Sequence, residues 1–358
     1  MKENLIAQPM YSTNYGKAYL GDSNDLFKII PDSSIDLVIT SPPFALQRKK
    51  EYGNKEQDEY IDWLFQFSKP IMRVLKDTGS FVLDMGGAYQ KNKPVRSLYN
   101  YRVLIKFCDE AGFNLAEEFF WHNPAKLPSP IEWVNKRKIR VKDSVNTVWW
   151  FSKTENPKAN VRNVLAPYSK RMKKLLSDAE NYYKPKLRPS GHDISDRFNH
   201  SNGGAIPSNL LQISNTESNS QYLRACKDVG VDPHPARFPS KLPEFFIKFL
   251  TDPNDVVLDF FAGSNTTGAV AENLERKWIA FEKEPLYLAA SSFRFIDISE
   301  KNQESAKIFN ELLDTKNGNI LLPQIRQTKL LEAERSEQVG DGQRRSARLG
   351  EEESKAIC

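Results

Sequence analysis

The chain contains 358 residues, of which 39% are apolar and 27% are charged, proportions that are typical of a globular protein. No apolar run approaches the roughly 18 residues that a membrane span requires, and the N-terminus lacks the apolar segment of a secretory signal. The three cysteines form no CxxC pair and the four histidines do not cluster, which argues against a disulfide framework and a metal site. We therefore expect a soluble, intracellular protein that needs no metal.

The net charge of +5 is distributed unevenly along the chain. Between Lys136 and Arg188, fifteen Lys or Arg accompany four acidic residues, so this segment carries a net charge of +11 and the remainder of the chain −6. A basic segment beside an acidic remainder is typical of a surface that binds the phosphates of nucleic acid. A solvated lysine-rich face has the same composition and stays an alternative.

Short apolar runs alternate with longer amphipathic segments, which predicts a doubly wound α/β sheet in one large domain. The predicted strands are 18–20, 36–40, 80–84, 147–151, 256–260 and 278–281. The predicted helices are 60–75, 102–111, 242–250, 266–274 and about 301–313. The alternation fails from about residue 153 to residue 231, which predicts an insertion outside the sheet. Beyond about residue 327 the composition predicts a disordered tail, either passive or a linker to a further module.

The first group of residues with chemical potential is Ser41-Pro42-Pro43-Phe44, which directly follows the apolar strand IDLVIT. Open α/β sheets place their ligands at the carboxyl ends of parallel strands. The two prolines have a fixed φ and no amide hydrogen, so they form a rigid turn whose carbonyls can face a ligand. An aromatic side chain beside them can stack on a flat base. A simple strand-ending turn is the alternative.

The second group lies in DVVLDFFAGSNTTGAVAENL, which predicts a strand, a turn at Gly263 and a helix from Thr266. About twenty residues later, the strand KWIAFE ends at Glu282, which is placed to accept hydrogen bonds from ribose hydroxyls. The spacing is typical of dinucleotide folds, but Gly263 is followed by no glycine before Gly268, so the GxGxxG pattern of NAD sites is absent. A nucleoside ligand without a phosphate fits this turn better.

Together these segments resemble the catalytic and cofactor motifs of amino-methyltransferases that act on DNA and use S-adenosylmethionine (SAM). The catalytic motif precedes the cofactor motif, as in the circularly permuted β group of that family. The resemblance extends from about Tyr19 to Phe295. A further SAM motif of the group matches at His234, Pro235, Phe238, Pro239, Lys241 and Leu242. The implied fold is an α/β, circularly permuted, Rossmann-like SAM-dependent methyltransferase sheet with an inserted target-recognition region.

The resemblance also implies how the chain is divided. Residues 1–152 are expected to form the catalytic half, 153–231 the target-recognition region and 232–300 the SAM-binding half. A C-terminal helix and extension (301–326) and the tail (327–358) follow.

The catalytic residues implied by the resemblance are Ser41, Pro42, Pro43, Phe44 and Asp84. The Ser41 hydroxyl and the Pro42 carbonyl accept the hydrogens of an exocyclic amine, and Phe44 stacks on a base flipped out of the duplex. The family implies that Asp84 lies close enough to hydrogen-bond Ser41, which makes it the candidate proton acceptor. A role in capping the following turn is the alternative for Asp84.

The cofactor-binding residues implied in the same way are Asp22, Lys241, Asp259, Phe261, Ala262, Gly263, Ser264, Thr266 and Glu282. In the family, the acid corresponding to Asp22 approaches the adenine of SAM, whereas a plain helix N-cap is equally expected there.

Double-stranded DNA is the expected partner, and the protein is expected to be a monomer or a weak dimer. A restriction endonuclease would be a genetic partner only. The host, and with it a location in a bacterial nucleoid or a eukaryotic nucleus, stays open. The candidate DNA-binding residues are Arg48, Lys136, Arg137, Lys138, Lys170, Arg171, Lys173 and Lys174.

Serine heads the tetrapeptide where adenine-N6 enzymes of the family usually carry Asp or Asn, so the resemblance favours cytosine N4, with adenine N6 as the alternative. Cytosine C5 chemistry, which typically uses a Pro-Cys pair, is excluded because no cysteine follows a proline. The resemblance makes CAGCTG the first target sequence to test. An RNA or protein methyltransferase and a catalytically silent DNA-binding module are the alternatives from other classes.

Overall fold

The computed structural model describes six stretches of the chain, and every structural statement below concerns them. They are residues 8–44, 57–178, 200–216, 220–296, 302–314 and 319–322. The predicted DNA contact at Arg48 and the predicted disordered tail (327–358) lie outside these residues, as do residues 179–199 of the predicted insertion.

A single mixed sheet is the centre of the fold. Its strands, in chain order, are β1 (Tyr11–Ser12), β2 (Gly16–Leu20), β3 (Ile35–Thr40), β4 (Leu75–Gly86), β5 (Asn114–His122), β6 (Val145–Ser152), β7 (Leu210–Gln212), β8 (Val256–Asp259), β9 (Lys277–Glu282) and β10 (Ile320–Leu321). Their order in the sheet is β10-β1-β2-β9-β8-β3-β4-β6-β5-β7. The five central strands from β2 to β4 are parallel, and β6 is antiparallel to both of its neighbours. The predicted α/β sheet is thereby confirmed.

Helices cover both faces of this sheet. They are α1 (Ser23–Leu26), α2 (Gln57–Phe65), α3 (Ser68–Val74), α4 (Tyr99–Asp109), α5 (Lys170–Ser177), α6 (Gln221–Val229), α7 (Lys241–Leu250), α8 (Thr266–Asn273), α9 (Pro285–Ser291) and α10 (Asn302–Leu313). Buried side chains of α2, α3 and α4 form one hydrophobic cluster with the sheet, and those of α6 to α10 form the cluster on the opposite face. Two apolar layers therefore enclose the parallel strands, as in doubly wound folds.

The strand order shows the circular permutation directly. Strands β8 and β9, from the last third of the chain, lie between β2 and β3 from its first forty residues. Neighbouring strands at the centre of the sheet therefore come from widely separated parts of the sequence.

The predicted helix 60–75 is two helices, because α2 ends at Phe65 and α3 begins at Ser68. Pro70, in the first turn of α3, has no amide hydrogen to continue a hydrogen-bond ladder from α2, which explains the break. Strand β5 was not predicted. Glu117 and Glu118 interrupt its apolar pattern, because the first half of the strand is partly exposed near the sheet edge.

The predicted insertion, 153–231, is only partly outside the sheet. Its residues 210–212 form β7, which extends the sheet beside β5, and helix α6 packs into the hydrophobic core with Tyr222 and Cys226 buried. The core of the cofactor half therefore begins at α6, before the predicted boundary at residue 231. The first part of the insertion lies at the amino edge of the sheet, where Lys158 N donates to the Thr78 carbonyl.

Candidate active site

Strands β3 and β8 are parallel neighbours, and the turns that follow them lie side by side at the carboxyl edge of the sheet. We call residues 41–44 after β3 the catalytic turn and residues 260–265 after β8 the cofactor turn. From β8 the chain continues to β9 on one side, and from β3 it continues to β4 on the other. Such a switch point is where open α/β sheets bind ligands.

Asp259, at the end of β8, joins the two turns. One oxygen of its buried carboxylate accepts from Thr40 Oγ1 at 2.7 Å and from Phe261 N at 3.1 Å, and the other accepts from Thr267 Oγ1 at 2.6 Å. Burial raises the pKa of Asp259 to about 6 despite these donors. Asp259 was predicted to bind the cofactor. In the structure its side chain supports the cofactor turn from below and fixes that turn to β3.

Ser41 of the catalytic turn is hydrogen-bonded to Asp84 of β4. Ser41 Oγ donates to Asp84 Oδ2 at 3.0 Å, which confirms the hydrogen bond that the resemblance implied. Asp84 lies near the end of β4 and is only 4% exposed. Its second oxygen, Oδ1, accepts from Asn146 Nδ2 at 3.1 Å. Each carboxylate oxygen of Asp84 therefore has a side-chain donor.

The buried position of Asp84 brings the pKa of its carboxyl close to neutral pH. Burial raises the pKa of Asp84 to about 6, while the donors Asn146 and Ser41 and the positive charge of Lys126 lower it. A carboxyl with such a pKa exchanges protons easily under physiological conditions.

Phe44 lies directly on the backbone of β4. A Cβ atom on Gly86 would be 2.6 Å from Phe44 Cε2, so only glycine at this position leaves room for the ring. The Tyr99 hydroxyl donates to the Gly86 carbonyl and fixes this part of the strand from the other face. Pro42 is buried, and Pro43 and Phe44 are half-buried. The role of Gly86 was not predicted, and the Gly86-Gly87 pair after Asp84 is the one sequence feature that could have indicated it.

The cofactor turn has two residues with positive φ, Gly263 at 53° and Asn265 at 52°. Gly263 N donates to Glu282 Oε2 at 2.8 Å, which brings the predicted acid at the end of β9 against the turn. The Asn265 side chain caps α8 by accepting from Gly268 N at 3.0 Å, and donates to the Tyr11 hydroxyl at 3.0 Å. Asn265, which sequence analysis missed, therefore fixes the turn from inside.

Residues from two further segments cover the cofactor turn. The His234 ring lies so close that a Cβ on Gly263 would be 3.0 Å from it. Arg294 donates to the Ser264 carbonyl at 2.7 Å and to Ser264 Oγ at 3.1 Å. Its guanidinium lies 4.5 Å from the ring centre of Tyr222, whose hydroxyl accepts from His234 N at 3.0 Å. Arg294 and Tyr222 were not identified from the sequence.

The other predicted cofactor residues occupy varied positions. Ala262, Ser264 and Thr266 are buried in the turn and the start of α8. The Phe261 ring packs on Trp63 and Phe67. These four residues define the shape of the turn and of the helix start that follows it.

Asp22 and Lys241 lie at helix starts. The Asp22 carboxylate accepts from Asn24 N at 2.9 Å, so the N-cap alternative is confirmed. Gly21 N donates to the Glu282 carbonyl at 2.9 Å, which places the end of β2 beside Glu282. Lys241 is the exposed first residue of α7.

Comparison with known proteins agrees with this arrangement. The family model described as DNA methylase, N6_N4_Mtase, matches residues 35–293. The chain belongs to the DNA methylase family. Type II methyltransferase M.PvuII of Proteus hauseri is 62% identical over 311 residues, which cover 87% of this chain and 93% of that protein. Type II methyltransferase M.BglII of Bacillus subtilis is 26% identical over 287 residues, covering 80% of this chain and 70% of that protein.

A solved structure supports the same assignment. PvuII DNA methyltransferase (cytosine-N4-specific) has a TM-score of 0.73 and 54% sequence identity, covering 89% of this chain and 99% of that one. The methylase described here therefore has the α/β fold of SAM-dependent methyltransferases, as the resemblance implied.

The cofactor turn of this methylase fits SAM better than a phosphate-bearing cofactor. The amides of Gly263 and Gly268, which a phosphate-binding turn would offer to its ligand, donate to side chains of the protein instead. Glu282 Oε1 accepts the amide hydrogens of Lys283 and Glu284, whereas Oε2 accepts only that of Gly263, so Oε2 keeps acceptor capacity for a ribose hydroxyl. Burial raises the pKa of Glu282, against the lowering effect of the amides of Glu284, Gly263 and Lys283.

The candidate DNA-binding residues lie on two surfaces of the methylase. Lys136, Arg137 and Lys138 are exposed in the loop between β5 and β6, at the carboxyl edge. Glu132 pairs with Lys136 at 3.3 Å and with Arg137 at 3.0 Å. The second group, on α5, is also exposed and consists of Lys170, Arg171, Lys173 and Lys174.

Two features are absent from the six described stretches. None of the helices in these stretches is long and apolar enough to cross a membrane. The same stretches contain no group of three His, Cys, Asp or Glu that could hold a metal ion.

Proposed function

We propose that this methylase is a site-specific DNA methyltransferase that transfers the methyl group of SAM to N4 of a cytosine flipped out of double-stranded DNA. The observation that carries the proposal is the Ser41–Asp84 hydrogen bond beside the cofactor turn. Cytosine N4 is favoured by serine at the head of the tetrapeptide and by the similarity to a protein named cytosine-N4-specific.

The direction of the Ser41 hydrogen bond explains how the amine is activated. A hydroxyl has one hydrogen and two lone pairs, and the hydrogen of Ser41 is donated to Asp84. Its lone pairs are therefore available for one hydrogen of the cytosine amine, while the Pro42 carbonyl accepts the other. These two bonds pull the nitrogen away from conjugation with the ring, so that its lone pair becomes nucleophilic.

Proton removal follows from the same contacts. SAM held by the cofactor turn and Glu282 would supply an electrophilic methyl group to the amine nitrogen. The surplus proton of the methylated nitrogen passes to Ser41 Oγ while the hydroxyl hydrogen of Ser41 passes to Asp84. The raised pKa of Asp84 suits this proton uptake, since it matches the acceptor to neutral pH.

Phe44 provides the stacking surface for the flipped base. Flipping costs a few kcal/mol, and stacking on an aromatic ring returns about 1–3 kcal/mol. The ring is supported by the backbone at Gly86, so it presents a fixed plane next to Ser41.

The basic residues of the β5–β6 loop and of α5 bind DNA phosphates in this proposal, and the region 153–231 contributes to the choice of target sequence. The similarity to M.PvuII makes CAGCTG the first site to test. A restriction endonuclease with the same target would be the genetic partner, and the protein acts inside the cell, where DNA is.

The deciding experiment is mass spectrometry and context-resolved sequencing of DNA from cells that express the chain. N4-methylcytosine within CAGCTG supports the full proposal, and the same base in another sequence supports the chemistry but replaces the site. Detection of N6-methyladenine alone would replace cytosine N4 by adenine N6, the other amine that the matched family's name covers. The Ser41→Ala chain is the control and should leave the DNA unmodified.

A further inference from the structure

Asn146 is a buried polar residue of the active site that neither the tetrapeptide nor the cofactor motifs include. It lies in β6, where it pairs with Gly86 of β4 on one side and with Trp121 of β5 on the other. The side chain is 9% exposed, and its Nδ2 donates to Asp84 Oδ1 at 3.1 Å. Asn146 thus occupies the one carboxylate oxygen of Asp84 that Ser41 does not use.

The antiparallel pairing of β4 and β6 explains why this contact is well defined. Asp84 pairs with Val148 and Gly86 pairs with Asn146, so residues 84, 86, 146 and 148 share one face of the sheet. The Asn146 side chain therefore crosses diagonally to Asp84. The next residue, Thr147, points to the other face and donates to the Met85 carbonyl at 3.1 Å, which fastens β6 to β4 at this position.

We propose that Asn146 is a positioning residue for methyl transfer, which holds the Asp84 carboxylate so that Oδ2 faces the hydroxyl of Ser41. The inference rests on the roles of Ser41 and Asp84 in the proposed function. A buried carboxylate with only one donor is free to rotate, and it then no longer orients the Ser41 lone pairs toward the amine. The amide of Asn146 also stabilises the ionised carboxylate, because its N–H points at the negative charge.

The remaining groups around Asp84 are consistent with this role. Tyr60 on α2 and Tyr99 on α4 face Asp84 from the opposite layer, and burial raises the pKa of both phenols far above neutral pH. Lys126, after β5, lowers the pKa of Asp84 at longer range. Because both phenols stay neutral, Asn146, Ser41 and Lys126 are the groups that favour ionised Asp84 near pH 7.

Three variants of one position and one neighbour test the proposal in the full chain. Asn146→Leu removes the donor with little change in volume, and Asn146→Asp places a second acid against Asp84. Asn146→Ser, whose side chain is too short to reach Asp84, replaces the leucine variant if that protein does not fold. Thr147→Val is the matched control, since it removes a hydrogen bond between the same two strands, together with a longer one from Asn100, without touching Asp84.

The first readout is the pH dependence of single-turnover methyl transfer at saturating SAM and DNA. The wild-type rate should fall at low pH as Asp84 becomes protonated. Asn146→Leu should raise the midpoint of this fall by about one pH unit, so that below the midpoint the variant is about tenfold slower than wild type, and its rate should recover at high pH. Asn146→Asp should raise the midpoint further, because two adjacent carboxyls resist double ionisation. Thr147→Val should leave the midpoint unchanged. A loss that is equal at every pH indicates a merely structural residue and overturns the proposal.

The second readout does not depend on methylation. Carbon-13 NMR of labelled aspartates, with the Asp84 signal assigned by Asp84→Asn, follows the carboxyl directly in each variant. The midpoint should rise from wild type to Asn146→Leu to Asn146→Asp. If the wild-type chain methylates no DNA, the proposed function fails while this titration still decides the role of Asn146. Identical midpoints in the three proteins overturn the inference.

Discussion

The catalytic turn and the cofactor turn end neighbouring strands, yet they are held in different ways. The catalytic turn is shaped by two prolines and is tied to β4 through Ser41 and Asp84. The cofactor turn is fixed on every side, by Glu282, Asn265 and Arg294 in addition to the buried carboxylate below it. The difference indicates a division of labour: the first turn keeps lone pairs and a titrating acid available for chemistry, and the second keeps a rigid shape for binding.

Replacement of Asp84 should separate the rate of methyl transfer from the affinity for SAM. Asp84→Asn should lower the rate of methyl transfer at saturating SAM by about 10²–10⁴-fold, because the proton acceptor is lost. The dissociation constant for SAM, measured by calorimetry, should stay the same, since Asp84 contacts the catalytic turn. An equal loss in both quantities would show that the two turns do not act separately.

A change in the cofactor turn should have the opposite signature. Gly263→Ala introduces a side chain at φ 53°, with its Cβ 3.0 Å from the His234 ring, so SAM affinity should fall by about tenfold or more. The rate at saturating SAM should change far less. The control is Gly112→Ala, which has a positive φ of 78° and no atom within 4 Å of the added Cβ. It should lower thermal stability and leave SAM binding unchanged.

The pH dependence of the reaction tests whether ionised Asp84 accepts the proton. Burial raises the pKa of Asp84 to about 6, and only the ionised form accepts a proton. The rate at saturating SAM should therefore fall about tenfold per pH unit well below pH 6 and level off above it. The residual activity of Asp84→Asn should not show this fall at low pH. A fall that persists in that variant would assign it to another group, such as Asp259, whose pKa is also about 6.

Arg294, the outer support of the cofactor turn, should affect SAM affinity less than Gly263 does. Arg294→Lys keeps a positive charge over Tyr222 but loses one of the two hydrogen bonds to Ser264, so SAM affinity should fall about threefold. Arg73→Lys alters an arginine that binds the carbonyls of Ile30 and Phe27, and it serves as the control. Equal SAM affinities in wild type and Arg294→Lys would show that the turn holds its shape without Arg294.

Local patterns were sufficient for the parts of the site that lie within one strand and its following turn. The tetrapeptide at Ser41, the turn at Gly263 and the acid at Glu282 each end an apolar run, so strand periodicity placed all three at the same edge. The Asp84 contact came from family resemblance. These predictions covered the parallel centre of the sheet.

The missed residues depend on contacts between distant segments. Asn146 lies in VNTVWWFS, where nothing local distinguishes it from an ordinary strand residue. Its contact with Asp84 arises only from the antiparallel pairing of β6 with β4. Arg294 binds Ser264 from 30 positions further along the chain, and Tyr222, 42 positions before Ser264, packs on Arg294. Strand β5 was overlooked because burial of its second half arises only when α7 covers it.

The hydrogen bond from Thr40 to Asp259 spans 219 positions of sequence. Adjacent strands in a sheet are about 4.8 Å apart, so the pairing of β3 with β8 sets the spacing between the catalytic turn and the cofactor turn. The length of chain that connects the two strands does not affect this spacing. A gene rearrangement that reversed the order of the two halves, while preserving that pairing, would leave the reacting groups in the same places.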